Sequence, residues 1–211
     1  MKSPFLIVHD FLSPMMCEKI INSAQVITPD TDGNGDPVKS ERHISTFDTE
    51  IAERFRCLIP DIEQRYDCSY KALEKPTLQY FPENPKSPAQ GPGCENAKFL
   101  RRQWVVHKDV DLVGFVWLKD FNDQVPLDVR HEVYGAKMEF PAFNFSLVPQ
   151  RGTLVLFPAG PHFITVISHV FLGDMYQLKL NACISEKNNA KWFYQPQNFP
   201  GTWQDWLSEF M

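Results

Sequence analysis

Gly152-Thr153-Leu154-Val155-Leu156-Phe157-Pro158 is a glycine followed by an apolar run that stops at a proline. Such a run, bounded by turn residues, reads as a β-strand. Beyond it come a histidine-bearing strand over 162–170, a turn at Gly173 and a last strand over 174–184. Successive side chains of a strand point to opposite sides. On the last strand Met175, Gln177, Lys179 and Asn181 therefore form one polar-leaning face, and Tyr176, Leu178, Leu180 and Ala182 the opposite, apolar one.

Working back from this stretch, the same period-two pattern predicts strands at 77–81, roughly 103–107, 111–119, 135–140 and 145–157. The front of the chain has a different period. Phe5 to Val8 read as a strand, and Ser13-Pro14 starts a helix whose apolar face is Cys17, Ile20, Ile21 and Ala24. Asp48 is the expected cap of a second helix carrying Ile51, Phe55 and Leu58. Pro60 interrupts it, and Ile62 with Tyr66 continue in a further short helix. Helical support over about 13–67 thus precedes a β-rich remainder, and residues 1–211 read as a single, mainly β domain of the α+β class. Segments 28–41, 82–96 and 122–131, rich in turn residues, read as loops, and Trp203, Trp206, Leu207 and Phe210 predict a short terminal helix.

With 211 residues, 43% of them hydrophobic, the chain can bury one sizeable core. A net charge of −5 leaves no basic stripe for nucleic acid. No apolar stretch approaches the ~20 residues of a membrane span, and the first apolar run is too short for a signal peptide. The five cysteines are scattered without a CxxC pair, which suggests neither a disulfide framework nor a zinc site and fits a reducing cytoplasm.

His107-Lys108-Asp109 stands directly before the apolar run Leu112 to Leu118. An HxD pair puts an imidazole and a carboxylate on one side of a strand. A histidine from a distant strand would complete a facial triad with open positions, the chemistry of non-haem iron. His131-Glu132 is a second pair of metal-ligand type, but it reads as a solvated strand start.

Taken in order, Phe5-Leu6-Ile7-Val8-His9-Asp10-Phe11-Leu12-Ser13-Pro14, Leu78-Gln79-Tyr80, His107-x-Asp109, Trp117-Leu118, Gly135-x-Lys137-Met138-Glu139-Phe140 and Pro149 to Pro158 resemble the prolyl 4-hydroxylase-like branch of the iron(II)- and 2-oxoglutarate-dependent oxygenases. The resemblance implies a double-stranded β-helix (jelly-roll, cupin-like), with Fe(II) as cofactor and 2-oxoglutarate as cosubstrate. It also implies hydroxylation of a C–H bond in a peptide, an amino acid or a small metabolite. Carried over by position, it makes His107 and Asp109 iron ligands and Tyr80 a cosubstrate contact.

Two positions depart from the family pattern His-x-Val-x-Pro-Val-x-x-Gly-x-Arg, which here puts Thr165 at the histidine and Met175 at the arginine. His162 is the preferred replacement for the distal ligand, ahead of His169, and Lys179 the preferred cosubstrate clamp. The competing expectation is a non-catalytic β-helix protein that has lost a complete metal site and acts in binding or as an accessory.

Overall fold

Ser13 and Pro14 begin the first helix as their chemistry requires. The Ser13 hydroxyl accepts from the Met16 N–H at 3.3 Å, and proline at the first helical position gives up a donor that has no partner there anyway. The computed structural model describes residues 3–25, 39–84, 86, 89–101, 103–122, 124, 128–148, 150–188 and 193. Its front half runs β1 (Leu6–Val8), α1 (Pro14–Gln25), β2 (Ser40–His43), α2 (Asp48–Arg56), α3 (Ile59–Tyr66), β3 (Cys68–Leu73) and β4 (Thr77–Phe81). Then come β5 (Gln90–Gly93), β6 (Ala97–Leu100), β7 (Gln103–Val106), β8 (Leu112–Trp117), β9 (Asp120–Asn122), β10 (Glu132–Gly135) and β11 (Met138–Phe140). The chain closes with β12 (Phe145–Leu147), β13 (Leu154–Pro158), β14 (Thr165–Ile167), β15 (Val170–Leu172) and the long β16 (Met175–Lys187).

Two antiparallel sheets carry the architecture. The larger has the order β1-β13-β8-β16-β4-β2, with β3 on the far half of β16, and the smaller the order β12-β11-β14-β5. This is the double-stranded β-helix that the resemblance implies. Paired residues share a face, so register assigns the inside. Val155, Phe115, Lys179 and Thr77 make one inward row, and Trp117, Gln177, Gln79 and Glu41 the next. Phe157, on the same face, meets Phe140 of β11 edge-on at 4.8 Å. Phe5, Phe143, Phe145 and Phe163 complete an aromatic plug between the sheets at this end. The opposite face of the large sheet carries Leu156, Val116, Leu178 and Leu78, and the buried side chains of α1, α2 and α3 join the same core.

Several boundaries differ from the sequence expectation, each for a physical reason. The loop expected over 28–41 ends in β2, and the one over 82–96 contains β5. Ser-Glu-Arg-His and Gln-Gly-Pro-Gly have no strand signature, but both are edge strands, where pairing on one side suffices and proline is tolerated. The strand expected over 162–170 opens with a 3₁₀ turn at Pro161–Phe163 and divides into β14 and β15. Asp48 is the first residue of α2 rather than its cap, and its carboxylate pairs with His43 Nε2 at 3.1 Å. The helix expected over 203–210 lies outside the described residues. No helix among them is long and apolar enough to cross a membrane.

Candidate functional site

Alternation on β16 places Gln177, Lys179 and Asn181 on the inward face, where a lysine must find counter-charges or remain costly. Lys179 is 5% exposed, and its Nζ lies 3.0 Å from Glu41 Oε2 and 3.1 Å from Glu95 Oε1. Glu41 arrives from β2, and Glu95 from the turn after β5. The pair extends into a chain of alternating charge. Lys39 Nζ is 3.6 Å from Glu41 Oε1, and Lys108 Nζ is 2.7 Å from Glu95 Oε1. Amides fix the carboxylate: Gln79 Nε2 donates to Glu41 Oε1 at 2.6 Å, and Gln177 Nε2 donates to Gln79 Oε1 at 2.7 Å.

These neighbours set the protonation states. Burial pushes the Glu41 carboxyl up, but the Lys179 ammonium and the Gln79 hydrogen bond outweigh it and hold the group below its ordinary value. Lys39 is lowered, chiefly by burial and with Lys179 adding repulsion. Burial acts downward on Lys108 too, yet its hydrogen bond and attraction to Glu95 leave it raised. Around this chain, Trp117 Nε1, Gln177 Oε1 and Asn181 Oδ1 are buried atoms with no hydrogen-bond partner among the described residues.

No family model and no curated protein matches the chain. Solved structures do. The 2-oxoglutarate complex of the viral collagen prolyl hydroxylase from Paramecium Bursaria Chlorella virus-1 superposes with a TM-score of 0.62 at 13% identity, over 87% of this chain and 97% of that one. A Pseudomonas putida prolyl-4-hydroxylase gives 0.55 at 11%, covering 85% and 92%. The Trichoplax adhaerens prolyl hydroxylase, in complex with a peptide fragment of the hypoxia inducible factor oxygen degradation domain, gives 0.55 at 11%, covering 85% and 83%. The chain has the prolyl 4-hydroxylase fold.

Within this prolyl hydroxylase-like fold His107 and Asp109 precede β8, His162 precedes β14, and Tyr80 and Lys179 lie on β4 and β16. His107 and Asp109 are exposed between β7 and β8. The His107 N–H donates to the Asn96 carbonyl at 2.9 Å, and the Asp109 carbonyl accepts from the Cys183 thiol at 3.2 Å. His162 is 1% exposed in the 3₁₀ turn between Pro161 and Phe163. Thr165 sits in β14 opposite Gly93 of β5, and its hydroxyl donates to the Gly93 carbonyl at 3.4 Å. The His169 ring stacks on Phe171 at 5.5 Å. Among the described residues no three His, Cys, Asp or Glu side chains are placed to share a metal ion. Iron(II) therefore does not fit the described arrangement. Tyr80 pairs with Tyr176 on the outer face, their rings 5.1 Å apart, whereas Lys179 faces inward. These two proposed cosubstrate contacts lie on opposite sides of one sheet.

Glu41 and Glu95, which define the surroundings of Lys179, escaped the sequence reading. Both sit in segments that read as loops. The one available signal was parity: Gln79 and Gln177 alternate in step with Lys179 and mark a polar interior.

Burial pushes the His162 imidazole from 6.5 down to about 3. It is neutral when folded and takes up a proton on unfolding, so its contribution is complete above 6.5 and is lost as pH falls toward about 3. Urea unfolding of the parent should weaken through this window with a slope approaching about 1.4 kcal/mol per pH unit, and His162→Gln should flatten it between pH 6.5 and 5. Equal slopes in the two proteins would remove His162 as the cause.

Proposed function

We propose that this prolyl hydroxylase-like β-helix protein binds a small organic carboxylate at Lys179 without an iron centre, as a binding or accessory protein. The observation that carries the reading is a buried ammonium on the inward face, in a cluster where Lys39, Lys179 and Lys108 alternate with Glu41 and Glu95 and where no metal-binding trio forms among the described residues. An anion entering there gains from a partly desolvated cation whose field water screens poorly. All five cysteines are free, which supports a reducing cytoplasm as its compartment.

The test is an assay of the full chain with iron(II) and 2-oxoglutarate, reading succinate by mass spectrometry and cosubstrate binding by calorimetry. The expected result is no iron-dependent succinate, together with metal-independent carboxylate binding that Lys179→Met removes. Iron-dependent succinate above the protein-free background would overturn this reading.

That outcome would establish the second one, an iron(II)- and 2-oxoglutarate-dependent dioxygenase acting on a C–H bond of a peptide, an amino acid or a small metabolite. Its support is that one neighbour of the same fold is a 2-oxoglutarate complex and another holds a peptide. It requires His107, Asp109 and His162 to converge on iron, with Tyr80 and Lys179 toward the cosubstrate. Asp109→Ala should then abolish iron binding at an unchanged far-ultraviolet spectrum.

A further inference from the structure

We propose that Glu41 is a built-in competitor for the anion position at Lys179, a carboxylate stopper carried on edge strand β2, and that a small hydroxycarboxylate displaces it. The proposal rests on the reading of Lys179 as an anion-binding group.

Exposure ranks the two carboxylates. Glu41 is 40% exposed and Glu95 18%, over an ammonium that is 5% exposed. Glu41 is thus the outer partner, and solvent reaches it before it reaches Lys179. Redundancy makes exchange feasible, because Glu95 at 3.1 Å still matches Lys179 when Glu41 leaves. The interior is spared a bare charge during the exchange.

The strand that carries Glu41 is built to yield. β2 has four residues, pairs among the described residues with β4 alone, and lies at the sheet edge. Short edge strands with solvated backbone open at low free energy. Its other polar ties include Lys39 Nζ to Gln90 Oε1 at 2.9 Å, His43 Nδ1 with the Pro76 carbonyl at 2.8 Å and His43 Nε2 with Asp48 at 3.1 Å.

What lies beneath selects the ligand. Trp117, Gln177 and Asn181 are no more than 7% exposed, and each has a polar atom without a partner among the described residues. Gln177 and Asn181 flank Lys179 on the same strand face, and Trp117 is the register partner of Gln177. The indole N–H wants an acceptor, which a carboxylate oxygen supplies alongside the ammonium. The amide oxygens, on residues roughly 13 Å apart along the strand at ~3.3 Å per residue, each want a donor, and a hydroxyl supplies one of them. An ammonium donor is disfavoured, because Gln177 and Asn181 flank Lys179 and it would lie beside that like charge. The aromatic plug fills the neighbouring apolar end of the interior, so the ligand must be small.

Malate and succinate differ by one hydroxyl and separate these requirements by calorimetry on the full chain. Glu41→Gln should bind malate at least tenfold more tightly than the parent, and malate at least tenfold more tightly than succinate. The substituted amide keeps an oxygen for Gln79, so β2 retains its pairing. Amide exchange at 40–43 should speed up when the parent is saturated with malate. Equal malate affinities in the parent and Glu41→Gln, with Lys179→Met still abolishing binding, would overturn the stopper and leave the anion site standing. Malate binding that survives Lys179→Met would overturn both. Equal affinity for malate and succinate would overturn the assignment of a hydroxyl donor.

Discussion

Phe157→Ala should destabilise the protein by about 3–5 kcal/mol, the range for truncating a buried phenylalanine. Phe157 is 1% exposed and joins the two sheets. From the inner face of β13 its ring lies 4.8 Å from Phe140, 6.0 Å from Phe5 and Phe115, and 6.3 Å from Phe163. Alanine removes the transfer free energy of the ring, leaves a cavity that rigid neighbours refill poorly, and deletes edge-to-face contacts worth about 0.5–1.5 kcal/mol per pair. At roughly 2–4 °C per kcal/mol for a chain of this length, the midpoint should fall by about 10 °C. Urea unfolding checks the value directly. A loss under about 1.5 kcal/mol would mean that the sheets are held together elsewhere.

Gly152→Ala should cost roughly 3 kcal/mol or more, far above its one-methyl change, because left-handed backbone and a steric clash add. Gly152 has a φ of +76°, and an added Cβ would lie 2.0 Å from the Leu12 carbonyl oxygen. That backbone cannot simply retreat. The Leu12 N–H donates to the Gly152 carbonyl at 3.0 Å, and the Gly152 N–H donates to the Trp117 carbonyl at 2.8 Å. Relief of the clash must break one or both of these bonds, each worth about 1 kcal/mol net. Since they tie the β1–α1 connection to β8 and the start of β13, hydrogen exchange should accelerate in all three places together. Acceleration confined to the turn itself would show that the clamp is local.

Legibility follows the range of the interaction that decides each feature. The capping hydroxyl of Ser13, the proline after it, and the alternation along 77–81 and 174–184 act between residues close in the chain. For these the sequence reading and the structure agree to within a few residues. The resemblance carried the β-helix itself, and the structural neighbours share it. The edge strands β2 and β5 were illegible, because their residue types carry no strand signature and it is pairing at a sheet edge that makes them strands. Glu95 suffered the same way, since nothing in a Pro- and Gly-rich segment announces a buried ion pair.

By itself the sequence determines that Lys179 lies on the polar face of the last strand, that Thr165 and Met175 stand where the family pattern has histidine and arginine, and that His107 and Asp109 are two residues apart. These are facts of identity and parity. Only the tertiary structure decides that Lys179 meets Glu41, 138 residues earlier. The same holds for Tyr80 facing away from Lys179. Such outcomes depend on strand order and register, which the packing of two sheets around one core selects as a whole and no local stretch encodes.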